Sequence, residues 1–225
     1  MEIAIEQGYK QEETQAYLGL GQAYRSDNHN EKAIQLFEKA SKIAREEGYK
    51  NEDTQTHFEI GHAYSCYNKY ETAIHHYENA LEIAIEQGYK LEETQAYLWL
   101  GGAYRCYNDN KTAMDYHKKG LEIAKEQGYK NEETQAHLGL GLTYFSDNQN
   151  EMTIQQFEKS LEIARKQEYK NEETRACLWL GHAYISGNQN QTDIKHYGKA
   201  LKIAREQGYE LARGNTSILW VKRSL

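Results

Sequence analysis

Apolar residues return along this chain at three- and four-residue intervals, and the whole pattern returns every 40 residues. In the stretch AYLGLGQAY, Tyr17, Leu20, Gly21 and Tyr24 stand at i, i+3, i+4 and i+7, which places them on one face of a helix. A second stripe follows in EKAIQLFEKA, where Ala33, Phe37 and Ala40 share a face. The period is set by Gly8, Gly48, Gly88, Gly128 and Gly208, each followed by tyrosine, with Glu168 interrupting the series. The pattern therefore predicts an all-α chain of antiparallel helix pairs. Its units run 11–50, 51–90, 91–130, 131–170 and 171–210, with 1–10 as the end of a preceding incomplete repeat and 211–225 as a degenerate half-repeat or tail.

Each unit carries its own punctuation. Asn51, Asn131 and Asn171, followed by two acidic residues, are expected to cap the first helix at its positive end. Asn28, Asn68, Asn108, Asn148 and Asn188 are expected to end it in a left-handed turn. The second helix should stop at the Gly-Tyr pair, Gly48 left-handed and Tyr49 folding back on Ala44 or Ile43. Glu168 predicts a strained or frayed stop. The glycine inside each first helix, Gly21, Gly61, Gly101, Gly141 and Gly181, costs about 1 kcal/mol of helix propensity. A close approach to the small alanines of the second helix is the expected return. Gly139 falls on the opposite face, where other units carry Trp99 and Trp179.

The recurring motif residues Leu20, Gly21, Tyr24, Gly61, Tyr64, Gly101, Tyr104, Gly141, Tyr144, Gly181 and Tyr184, followed in each unit by a second stripe, resemble the tetratricopeptide repeat lengthened to 40 residues. The likeness is to its long-repeat branch, which includes Pins/LGN-type scaffolds, rapsyn and kinesin light chains. It implies a right-handed α-solenoid whose first helices line a concave face that binds a peptide or helix of another protein. On that face the expected binding residues are Gln55, Phe58, His62, Gln95, Leu98, Trp99, Gln135, Leu138, Leu142, Phe145, Arg175, Trp179 and His182. Glutamines can hydrogen-bond a peptide backbone and the aromatic rings can anchor its side chains. The Leu and Phe positions could equally pack between units. Pins/LGN-like repeats carry asparagine just before the Leu-Gly pair, where this chain has Gly19, Glu59, Trp99, Gly139 and Trp179, so their mode of gripping a peptide does not transfer. Thr153 and Asp193 in place of alanine, His117 in place of the aromatic, and Gly120 and Ser160 in place of alanine predict looser packing, above all in units four and five.

Composition narrows the function further. A net charge of −7 with no clustered basic run argues against nucleic acid and against an anionic membrane surface, and favours neutral or basic protein partners. No run of roughly 18 apolar residues exists to span a membrane. Three cysteines without a CxxC spacing suggest reduced thiols and a cytoplasmic setting. The Gly19-Leu20-Gly21 and Gly139-Leu140-Gly141 triplets lie mid-helix with no strand before them, which removes a phosphate-cradling loop. His57 and His62 are five residues apart, and His75 and His76 are neighbours on different faces, neither a metal-ligand spacing on a helix. The expectation is therefore a scaffold without catalysis, cofactor or metal. The alternative is a structural spacer, or a fragment of a larger protein whose activity lies in flanking domains. Ile218, Leu219, Trp220 and Val221 form an apolar patch that could dock on unit five or favour self-association.

Overall fold

A computed structural model describes residues 8–186 and 190–206 of the chain. Asn188, Gly208, the Asp193 side chain and the apolar tail residues lie outside what it describes. Ten helices are seen among the described residues: α1 (Lys10–Ser26), α2 (Asn30–Glu47), α3 (Lys50–Cys66), α4 (Tyr70–Gln87), α5 (Lys90–Cys106), α6 (Asn110–Gln127), α7 (Lys130–Ser146), α8 (Asn150–Lys166), α9 (Lys170–Ser186) and α10 (Asn190–Glu206). Each packs on the helix before and the helix after it. Odd-numbered helices also touch the next odd-numbered helix, whereas even-numbered helices never touch each other. The odd helices are thus the inner layer of a curved stack, an α-solenoid.

Backbone geometry explains the short connections. Gly48, Gly88 and Gly128 are left-handed, with φ of 77°, 70° and 75°. The Tyr49 amide donates to the Ala44 carbonyl at 2.7 Å, the long-range bond of a Schellman ending. At the other turn Asn28, Asn68, Asn108 and Asn148 take φ between 56° and 66°, as the sequence predicts. Glu168 is left-handed too, with φ 58°, and Tyr169 still donates to Ala164 at 2.8 Å. The stop is therefore strained but formed, and α8 ends at Lys166, one residue earlier than α2, α4 and α6.

The expected asparagine caps are not used. Asn51, Asn131 and Asn171 lie inside their helices, which start at Lys50, Lys130 and Lys170. Because only Gly and Tyr join consecutive units, Tyr49 and Tyr129 occupy the cap position and no side chain caps those helices. The first turn is tied instead by threonine and glutamate: Thr54 Oγ1 donates to the Lys50 carbonyl at 2.8 Å, and Lys90 Nζ lies 2.6 Å from Glu93 Oε2. Asp53 is one methylene shorter than these glutamates and accepts from Ser41 Oγ at 2.8 Å.

The core is a ring-on-glycine stack. A Cβ added to Gly61 would lie 2.5 Å from Tyr77 Cε1, one on Gly101 2.6 Å from His117 Cε1, and one on Gly181 2.7 Å from Tyr197 Cζ; Gly21 and Gly141 meet Phe37 and Phe157 in the same way. The glycines therefore make room for the aromatic of the second helix rather than for its alanines. Ile60, Leu100, Leu140 and Leu180 are buried, but Leu20 is 39% exposed. The difference arises because no described helix precedes α1 to cover it. Tyr24, Tyr64, Tyr104 and Tyr144 are half-buried and Tyr184 is buried. Unit four is not loose: Thr153, Phe157 and Ser160 are fully buried, Thr153 Oγ1 donates to Gln149 O at 2.9 Å and Ser160 Oγ to Thr134 O at 3.1 Å. In unit three Leu98 fills the space that Gly120 vacates.

Candidate groove on the inner helices

The inner face is assembled at joints, where the last turns of one odd helix meet the middle of the next. At the joint of α1 and α3, Gln22 Nε2 donates to Glu59 Oε1 at 2.8 Å, and the Arg25 guanidinium lies 3.1 Å from Glu59 Oε2 as a Coulombic contact. At the joint of α3 and α5 the same positions hold an aromatic cluster. Trp99 stacks on Tyr77 with centroids 6.4 Å apart, and His62 meets Trp99 edge-on at 4.2 Å. His62 Nδ1 and the Tyr77 hydroxyl are 2.8 Å apart. Burial, and then the charge of Arg25, hold the His62 pKa down to about 3, so the ring is neutral at pH 7. At the joint of α7 and α9, Trp179 stacks on Phe157 at 6.2 Å, meets Phe145 edge-on at 5.9 Å and touches His182 at 5.4 Å.

The joint of α5 and α7 departs from this scheme. The positions of His62 and Trp99 are taken here by Gly102 and Gly139, and the buried ring is His117. A Cβ on Gly139 would collide with His117, whereas one on Gly102 would meet nothing within 4 Å. Gly139 therefore has a core-facing role as well, which corrects the view of it as lying only on the far face. Of the contacts between neighbouring inner helices, those of α5 with α7 are the most extensive. Both nitrogens of His117 are covered and unpartnered, and burial first, with Arg105 second, lowers its pKa to about 3.

The expected binding residues divide by exposure. Gln55 and Arg175 are exposed, Gln95 and Gln135 half-buried, and Trp99 is 41% exposed. Trp179, His62, His182, Leu142 and Phe145 are half-buried. Phe58, Leu98 and Leu138 are buried in the core and offer almost no surface to a groove, because their helical position turns them toward their own second helix. The Gln95 side chain lies against the next first helix, its Nε2 3.4 Å from Glu132 Oε1.

Two groups escaped the sequence reading. Arg105 is near enough for its charge to bear on the His117 ring, and the available signal was that Arg105 stands two periods, 80 residues, after Arg25. His76 was the other: it sits 3.0 Å, Nδ1 to Nδ1, from His57, a pairing across two helices that spacing along one helix does not reveal. Burial lowers both rings to about 4. Among the described residues no group of three or more His, Cys, Asp and Glu could hold a metal ion, and no helix is long and apolar enough to cross a membrane. A cavity of about 220 Å³ opens at the turn between α3 and α4, beside Tyr70 and Tyr107, away from these joints.

Comparison with known proteins supplies the rest. No curated protein matches the chain. Among solved structures, BtubC (BKLC) from P. vanneervenii is 19% identical, with a TM-score of 0.71 over 88% of this chain and 82% of its own. A Podosopora anserina putative kinesin light chain with nearly identical TPR-like repeats is 14% identical, with a TM-score of 0.69 over 86% of this chain and 95% of its own. A Rap protein complexed with Competence and Sporulation Factor is 16% identical, with a TM-score of 0.78 over 86% of this chain and 54% of its own, so the chain spans about half of that protein. At these identities the likeness is one of fold. The tetratricopeptide repeat model matches residues 14–47, 134–167 and 174–207. Those three stretches are therefore tetratricopeptide repeats, set in a continuous stack of paired helices.

Proposed function

We propose that this chain is a non-catalytic scaffold whose inner groove binds an extended peptide or a helix of a partner protein. The observation that carries the reading is Trp99: its indole stacks on Tyr77 and makes a T-shaped contact with His62, yet the residue is 41% exposed on the inner layer. An exposed, pre-positioned indole is costly surface for a spacer and useful surface for a binder. The exposed or half-buried Gln55, Gln95 and Gln135 stand on the same helices at intervals of one unit, where amides can meet a peptide backbone. Two Rap relatives in fold are described in complex with the Phr* peptide and with Competence and Sporulation Factor, which supports a peptide as the partner class.

The spacer reading draws on Trp179, whose indole is half-buried against Phe145 and Phe157 and has less surface to offer. The two readings part on Trp99→Ala. Fluorescein-labelled pools of random twelve-residue peptides are titrated against the native chain and against Trp99→Ala, once circular dichroism shows equal helix content and equal melting. Anisotropy that rises with the native chain and at least tenfold less tightly with Trp99→Ala supports the groove, a loss of about 1.4 kcal/mol or more. No binding by either leaves the spacer, and equal binding by both removes Trp99 from the binding surface.

A further inference from the structure

We propose that the joint of α5 and α7 receives a single carboxylate from the partner, an aspartate or glutamate side chain, held by Arg105. The inference rests on the groove reading and names the chemistry the groove selects at one point along it.

At the α1–α3 joint, Arg25 lies 3.1 Å from the carboxylate of Glu59, which also accepts from Gln22 at 2.8 Å. Two units further on, Arg105 stands where Arg25 stands, Gly139 where Glu59 stands and Gly102 where Gln22 stands. The cation is retained while the acid and the amide are deleted. Arg105 has no ion pair among the described residues, and its one polar side-chain contact is a weak one with Cys106 Sγ at 3.8 Å. Its place in the last turn of α5, where a cation offsets the carbonyl end of the helix, accounts for the charge but not for the missing acid.

No described residue fills the space beside Gly102. Any side chain at residue 139 would collide with His117, and the space beside Gly102 is open. His117 has both ring nitrogens unpartnered under full burial, so the floor of the joint is a polar ring with no protein group to satisfy it. A guanidinium without a carboxylate partner is suited to a planar carboxylate, which it can take in a two-pronged hydrogen bond. The other joints are closed to such a guest, since Trp99 and Trp179 occupy them with apolar rings and Glu59 would repel it. The net charge of −7 disfavours a strongly acidic partner as a whole, so the chemistry is one carboxylate rather than an acidic run.

The test uses two pools of fluorescein-labelled twelve-residue peptides with amidated C-termini, random in Ala, Leu, Ser, Gln and Tyr apart from one fixed central residue, Glu in one pool and Gln in the other. The native chain is expected to bind the Glu pool about five- to tenfold more tightly, the worth of a charge-assisted pair that is partly shielded from water. Arg105→Gln should erase that ratio, and Arg105→Glu should reverse it toward a third pool with Lys fixed. Trp99→Ala should weaken the Glu and Gln pools alike and keep their ratio. Equal binding of the two pools by the native chain, or a ratio that survives in Arg105→Gln, overturns the proposal while leaving the groove standing. Binding of none of the pools overturns both. A fourth pool with Gln fixed and a free C-terminus separates a side-chain carboxylate from a chain-end one: if it binds as tightly as the Glu pool, the side-chain assignment is wrong.

Discussion

Replacing His117 by phenylalanine isolates the energetics of the unusual joint. The imidazole is fully buried, neither nitrogen has a partner, and its pKa is lowered to about 3 from an ordinary value near 6.5. A base whose folded pKa is depressed binds fewer protons folded than unfolded at any pH between those two values. Stability is therefore fully present above pH 6.5 and drains away as pH falls toward 3. At pH 5 the chain is 1.5 pH units below the unfolded value, and at about 1.36 kcal/mol per unit the loss is about 2 kcal/mol. The substitution removes that contribution whatever it does to packing at neutral pH. There, the added ring volume costs about 1–3 kcal/mol and the removal of two unsatisfied polar atoms returns a similar amount. Urea unfolding followed by circular dichroism at pH 7.5 and pH 5 gives the answer. His57 and His76, both lowered to about 4, stay in place, so both proteins lose stability in acid. The native chain should lose about 2 kcal/mol more, a difference of about 1 M in urea midpoint. If the two midpoints move in parallel, His117 is not held neutral in the core and the description of this joint is wrong.

Two further substitutions probe the repeat itself. Glu168→Gly should raise stability by about 1 kcal/mol in thermal or urea melts, because a non-glycine residue at φ 58° carries a left-handed penalty that glycine lacks; an unchanged melt would place the strain elsewhere. Gly61→Ala should lower stability by about 1–3 kcal/mol despite the better helix propensity of alanine, since the new methyl lies 2.5 Å from Tyr77 Cε1; a stabilised variant would refute the ring-on-glycine packing.

The regular parts of the fold are legible in the sequence because a repeat states each rule several times. Left-handed asparagine at 28, 68, 108 and 148 and left-handed glycine at 48, 88 and 128 follow from backbone sterics alone. The helix starts are misread because a local preference of asparagine for caps yields to a two-residue connection that leaves no room for one. The role of Gly21 and its equivalents is half legible: a close approach is implied, but alanine stripes and the aromatic between them share the same face, and the ring turns out to be what the glycine admits. Phe58, Leu98 and Leu138 are misassigned for a similar reason, since one residue of helical rotation, about 100°, separates a groove position from a core one. The His57–His76 contact and the open space beside Gly102 depend on which helices become neighbours, and no periodicity within a single helix carries that information.

Near-identity between units makes the differences at the joints the part of the molecule able to specify a partner. Were every joint alike, a peptide lying along the inner layer could shift by one unit at no cost, and the groove would bind in several registers. The observed series removes that freedom. A carboxylate seated at Arg105 meets an indole and a neutral imidazole if it slides one joint toward the N-terminus, because Trp99 and His62 fill that place. Slid two joints, it meets Glu59, already bound by Gln22 and facing Arg25, and like-charge repulsion opposes it. Slid toward the C-terminus, it meets Trp179 and Phe145. Desolvating a carboxylate against aromatic rings, or placing it beside another carboxylate, each costs enough to exclude those registers. If a carboxylate is held at Arg105 as proposed, the absence of side chains at Gly102 and Gly139 would fix its register by leaving one joint receptive while its neighbours are occupied.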